Sequence, residues 1–228
     1  MSTKTTIWDG FIRGYHWLQA ICIAGLWYTG TEGLMDWHFS IAYGLLALLI
    51  TRLIWGLFGS ETAKLASLFH SPRAVIQHLG ELHQPKPAHT THPHKSDIGH
   101  NPAGSYMVLG FFVLIAAQLT TGLFANDDIV SEGPLAMYVS GELSSRLTEL
   151  HALNFDFLLG AIGLHLAAIF LYRLKSIDLI GPMLHGKKEL ADQAAPKMRN
   201  GAIGWGVFVA VATAIYFLWA KDVIIYLF

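Results

Sequence analysis

The chain has 228 residues, 53% of them hydrophobic and 14% charged, with a net charge of −1 and a mean hydropathy of +0.43. Its apolar residues fall in long blocks rather than amphipathic stripes, which argues against a soluble globular protein and for a polytopic membrane protein. A single cysteine, Cys22, excludes an internal disulfide, a zinc cluster and a covalent CxxCH haem site, and no nucleic-acid partner is expected.

In chain order, the start MSTKTTIWDG has no apolar core ending in small residues, so no cleaved signal peptide is expected. Five apolar stretches follow, at residues 15–29 (extending back through Phe11), 38–58, 105–124, 151–172 and 202–220. They are read as helices, because only helices or closed barrels satisfy the backbone in lipid and the alternation of a barrel is absent. The expected fold is an all-α membrane protein forming a single integral membrane domain over residues 1–228. A four-helix core at 8–175 contains an inner loop at 59–104; an inner linker at 176–201 leads to a fifth transmembrane helix at 202–220.

Orientation follows from the basic residues. The N-terminus, the segments 59–104 and 173–201, and Arg52 hold 13 of the 15 lysines and arginines; only Arg146 and Lys221 lie on the other side. The positive-inside rule then puts the N-terminus in the cytoplasm and the C-terminus in the periplasm or otherwise outside.

The fourth stretch carries His151 and His165. Fourteen residues are nearly four helical turns, so both rings project from one face about 21 Å apart, one near each side of a hydrocarbon core about 30 Å thick. Ionisable groups in a span face the bundle interior and a partner. His16 starts the first span at its inner end and His38 starts the second at its outer end, so His16 pairs with His165 and His38 with His151. Two imidazoles from different helices are the axial set of a non-covalent b haem. Zinc or copper is the competing ligand, but wants three or four donors at one depth. Gly25, Gly44, Gly110, Gly122, Gly160 and Gly163 leave room for a macrocycle, or serve ordinary close packing of helices. Arg52, fourteen residues past His38, and Arg13, one turn before His16, are candidate propionate partners, with topology-setting or snorkelling as the other reading.

The segments WDGFIRGYHW (8–17), RLIWGLFGS (52–60), GHNPAG (99–104), ELH (149–151) and GLHLAAIF (163–170) together resemble the bacterial cytochrome b561 family, which includes the cytochrome b subunits of nickel-iron hydrogenases. The resemblance covers the first four helices. It implies two b haems held by His16, His38, His151 and His165, a place in the bacterial inner membrane, and electron transfer between the quinone pool and a redox partner. The chain differs from the family's shortest members by its fifth span and by a long, histidine-rich inner loop.

That loop, with HQPKPAHTTHPHKSDIGH at 83–100, reads as an irregular solvated linker able to bind a divalent metal in passing. Its end, His100 and Asn101, either borders an inner quinone site or caps the third span. On the outer side, Asp127, Asp128, Glu132, Glu142 and Glu149 against Arg146 either form an acidic face suited to a basic partner such as a periplasmic c-type cytochrome, a hydrogenase-like subunit being the other candidate, or merely complement the positive-inside bias. Asp156 is a candidate hydrogen-bond partner for the outer site. The tryptophans, mostly near span ends, read as an interfacial belt. Nothing in the chain reads as a nucleophile or acid-base constellation. Two alternatives stay open: a stand-alone quinone-linked oxidoreductase such as a superoxide oxidase, and a histidine-lined metal or proton transporter.

Overall fold

The computed structural model describes residues 2–83, 98–127, 131–191 and 195–225. Its long elements are helices: α1, Gly10–Thr31; α2, Met35–Phe58; α3, Pro72–His83; α4, Pro102–Leu123; and α5, Gly141–Leu174. The short α6, Ile180–His185, precedes α7, Gly201–Ile215, which continues through a π turn at Tyr216–Ala220. Among the described residues four stretches are long and apolar enough to cross a membrane: Met35–Phe58, Pro102–Leu123, Gly141–Leu174 and Gly201–Ala220. The 22 residues of α1 give it the length, about 33 Å, but Arg13, His16 and Gln19 dilute its hydropathy. In the apolar window of α5 only 6% of residues are buried, and Leu153, Phe157, Leu164 and Phe170 are exposed. Water does not tolerate an apolar surface on that scale, whereas lipid does.

Local chemistry sets the helix ends. Asp9 precedes α1: its Oδ1 accepts a bond from the Ile12 amide (2.9 Å) and its Oδ2 one from Trp55 Nε1 (3.0 Å). An Asp9→Ala variant loses the cap and strands a buried indole N–H, so its unfolding free energy in detergent should fall by about 1–2 kcal/mol. At the other end, Gly33 adopts φ +68° and the Leu34 amide reaches back to the Thr29 carbonyl (2.8 Å). This Schellman turn needs a residue tolerant of left-handed backbone and directs the chain straight into α2. α5 starts ten residues before the apolar run that marks it in the sequence. Ser140 Oγ caps the Leu143 amide (3.3 Å) and Arg146 pairs with Glu142 one turn away (2.7 Å), so the helix extends through polar residues that hydropathy alone assigns to a loop.

Contacts divide the chain into two compact units, each taking segments of the long helices. The second comprises Trp17–Thr51, Gly110–His165 and Val207–Phe228. Within it Ile23 of α1, Leu45 and Leu49 of α2, Ile115 and Leu119 of α4, and Leu158 of α5 form a four-helix core. Tyr43 and Ala47 of α2 pack separately against Ile215 and Ala220, which seats the C-terminal helix beside that core.

The first unit comprises Met1–His16, Arg52–Leu109 and Leu166–Gly206. Here Phe11 is fully buried, edge-on to Trp55 (5.6 Å between centroids) and Trp205 (5.2 Å). A methyl group at Gly204 would lie 2.5 Å from the Phe11 ring, and one at Gly14 would collide with Trp205, so α7 and α1 approach closely because glycine faces an aromatic on each side.

Several expectations change in this unit. The inner loop is built rather than irregular in its described first part: one-turn 3-10 helices at Glu61–Ala63 and Leu65–Leu68 lead into α3. They are tied down where Thr62 Oγ1 donates to the Ile7 carbonyl (2.6 Å) and Arg52 donates to the Ala63 carbonyl (3.0 Å). His89, His92 and His94, and Asp128 of the outer loop, lie outside the described residues. The 176–201 linker contains α6 and a strand, β2 (Lys187–Ala191), paired antiparallel with β1 (Ser2–Thr6) in the register Thr6↔Lys187. Neither STKTT nor KKELA alternates in polarity, so only backbone pairing reveals this ribbon. Trp8 and Trp55 are buried core residues, not belt residues, whereas Trp17, Trp27 and Trp37 are exposed as expected.

Candidate functional site

The best-defined site lies in the second unit, where α2 begins one turn before His38 and α5 carries His151. Their rings stand 6.3 Å apart, centroid to centroid, inclined at 70°. Each is held in the same way. His38 Nδ1 lies 3.1 Å from the Leu26 carbonyl oxygen and 3.3 Å from Thr29 Oγ1; His151 Nδ1 lies 3.0 Å from the Gln118 carbonyl oxygen and 3.2 Å from Thr121 Oγ1. A carbonyl only accepts, so both Nδ1 atoms carry the proton and both Nε2 atoms keep a lone pair. That tautomer is the one a metal requires of an imidazole bound through Nε2.

Two glycines make room for the rings. A methyl at Gly30 would come 3.3 Å from His38, and one at Gly122 would come 2.9 Å from His151 Cε1. Gly122, read as room for a macrocycle or as a close-packing position, seats His151; Gly30 escaped the sequence reading. Of the other glycines singled out, a methyl at Gly25 would lie 3.2 Å from Ile41, and one at Gly44, Gly110, Gly160 or Gly163 would meet nothing within 4 Å beyond its own helix among the described residues.

Both histidines line a cavity of about 320 Å³ whose wall is apolar along Ile23, Leu26, Phe39, Leu119 and Phe155, with polar groups where Gln118, Asn126 and Thr148 contribute. Asn154 Nδ2 donates to Gln118 Oε1 (2.6 Å) and to the Leu114 carbonyl (2.9 Å), so this amide pair binds α4 to α5 beside the cavity. Asp156 takes no part. It is exposed, because five residues past His151 is about 140° around the helix.

His165 lies on α5 in the same unit, half-buried, with the Phe111 ring edge-on at 5.7 Å. His16 is half-buried on α1 in the first unit. That unit also holds both arginines, and each has a backbone partner. Arg52, 3% exposed, donates to the Ala63 carbonyl, and Arg13 donates to the Leu184 carbonyl (2.7 Å). Each thereby ties its helix to a connecting segment.

Asn101 caps α4, accepting from the Gly104 amide (2.7 Å), and its Nδ2 donates to Tyr172 Oη (3.1 Å), which also bonds His78 Nε2 (2.8 Å). His100 sits against Trp8, 4.7 Å between ring centroids, and among the described residues its solvent-shielded Nδ1 has no hydrogen-bond partner. Burial first, then the charges of Arg52, His16 and His70, push His100 from 6.5 down to about 3. A base whose folded value lies below its ordinary one costs nothing above pH 6.5 and destabilises the fold as pH falls from 6.5 towards 3. A His100→Asn variant should therefore lose less thermal stability than the parent between pH 7 and pH 5.

Among the described residues no three His, Cys, Asp or Glu side chains converge as a metal centre of protein ligands alone would need. No curated protein and no solved structure matches the chain. The family model of prokaryotic cytochrome b561 matches residues 7–186, a span that holds both imidazole-bearing helical hairpins and every residue of the cavity. The chain therefore belongs to the prokaryotic cytochrome b561 family, membrane cytochromes that carry electrons across the bilayer.

Proposed function

We propose that His38 and His151 are the two axial ligands of an outer b haem, and that His16 and His165 hold a second haem on the inner side. The observation that carries the reading is the ring separation. Two nitrogens each about 2.0 Å from a first-row metal, with about 1.1 Å from nitrogen to ring centre, put the centroids about 6.2 Å apart; the observed value is 6.3 Å. When bound, a b haem supplies reversible one-electron chemistry. The protein supplies the rest. Carbonyls lock the imidazole tautomer, glycines admit the rings, and the apolar wall keeps water from the ligands. α5 carries one histidine of each couple, fourteen positions or about 21 Å apart along its axis.

With the N-terminus in the cytoplasm and five spans, the chain would pass electrons between the quinone pool and an outer redox partner, a c-type cytochrome or a hydrogenase-like subunit. His100 supports an inner quinone site, because its shielded Nδ1 is available to a quinone carbonyl. Asn101 is committed to its cap and to Tyr172. The superoxide alternative asks Arg146 and Lys221 for local positive charge, and of these Arg146 is paired with Glu142. A pyridine haemochrome assay and a reduced-minus-oxidised spectrum of the purified chain test the reading. Two b haems per chain are expected, and a colourless preparation refutes it.

A further inference from the structure

The two clamps that hold His38 and His151 repeat each other atom for atom. On α1 the acceptors are the Leu26 carbonyl and Thr29 Oγ1, with Gly30 next in sequence; on α4 they are the Gln118 carbonyl and Thr121 Oγ1, with Gly122 next. Each threonine hydroxyl spends its proton on its own helix. Thr29 Oγ1 donates to the Gly25 carbonyl (2.8 Å), and Thr121 Oγ1 donates to the Ala117 carbonyl (2.7 Å). A hydroxyl whose proton is committed one turn back can only accept from the imidazole. Each Nδ1–H is thus shared between a carbonyl and a threonine oxygen, and every proton in the clamp is assigned. For packing alone, valine would fill nearly the same volume as threonine; the hydroxyl adds a bond donated to its own helix and the one it accepts from the imidazole, and only the second reaches the histidine.

We infer that Thr29 and Thr121 are a matched pair of positioning residues that lower the reduction potential of the outer centre. The inference rests on the reading of His38 and His151 as its ligands. An acceptor on Nδ1–H shifts electron density to Nε2 and makes it a stronger donor. The oxidised iron, one positive charge richer, gains more from that than the reduced iron, so the potential falls. With two such bonds on two rings, the effect is shared and each threonine contributes part of it.

The test is a potentiometric titration of the full-length protein in detergent, following the outer haem optically, for Thr29→Val, Thr121→Val, the double variant, and Thr29→Ser and Thr121→Ser. Each valine variant should favour the reduced form about threefold, an upward shift of about 28 mV at 59 mV per tenfold for one electron. The double variant should shift by about the sum, and the serine variants, which keep the oxygen, should stay at the parent value. Unchanged potentials in both valine variants with both haems bound overturn the inference. If a valine variant loses the haem, the serine variant decides: retention at the parent potential supports the clamp, and loss there too shows a packing role only and overturns it. Failure of the underlying reading looks different, since the parent would then carry no haem that His38→Ala removes.

Discussion

Replacing His38 with alanine should remove one of the two haems, halving the pyridine haemochrome absorbance per chain while leaving the second centre reducible. The reasoning is geometric. Two imidazoles 6.3 Å apart act as one unit, and removing either leaves a single imidazole facing a 320 Å³ cavity, with no group of three His, Cys, Asp or Glu able to hold a metal among the described residues. His151→Ala should have the same effect, and the double variant His38→Ala/His151→Ala should lose no more haem than either alone, because both changes dismantle one site. Combining His38→Ala with His16→Ala should instead remove both haems. A milder variant probes the seat itself. At Gly122 a methyl would sit 2.9 Å from His151 Cε1, whereas at Gly44 it meets nothing within 4 Å, so Gly122→Ala should lower outer-haem occupancy and Gly44→Ala should not. Retention of both haems in His38→Ala would end the proposed assignment.

The largest loss of stability is expected from Phe11→Ala. Phe11 is fully buried, its ring set edge-on between Trp55 and Trp205, and a methyl at Gly204 would lie 2.5 Å from it. Truncation removes aromatic contacts and leaves a void that indoles on two sides and helix backbone on a third cannot collapse to fill, at a cost of about 3–5 kcal/mol. Thermal unfolding in detergent, followed by circular dichroism, should show the midpoint falling well below that of Asp9→Ala. If Phe11→Ala melts with the parent, the close approach of α7 to α1 is not what holds this end of the chain together.

Much of this was legible in the residues. Lipid imposes a coarse rule, long apolar runs with inward histidines, and a rule that coarse survives translation into one dimension. Hence four of the five expected membrane-crossing stretches were readable from hydropathy, as was the placing of His151 and His165 on one helix; the first stretch has the length in α1 but not the hydropathy, and the family was readable from its short motifs. The start of α5 was not, because Ser140 and the Glu142–Arg146 pair extend a helix where hydropathy has already fallen. Asp156 was misplaced because its depth was considered without its angle around the helix. Arg52 and Arg13 were read either as propionate partners or as topology-setting or snorkelling residues; the carbonyls they bond, Ala63 in the 3-10 turn after α2 and Leu184 in α6, are contacts that the pattern of a single helix does not reveal.

The amino-acid sequence by itself determined that this is a helical membrane protein and, through its family motifs, a cytochrome of the b561 family, since long apolar runs and contiguous motifs can be read without any tertiary contact. Only the tertiary structure decided how His38 and His151 are held. The carbonyls of Leu26 and Gln118, the oxygens of Thr29 and Thr121, and the bare faces of Gly30 and Gly122 reach them from neighbouring helices. The repeated Thr-Gly pair in LWYTG and QLTTG was visible all along, but a hydrogen bond between helices depends on their relative rotation, and no periodicity within one helix encodes that.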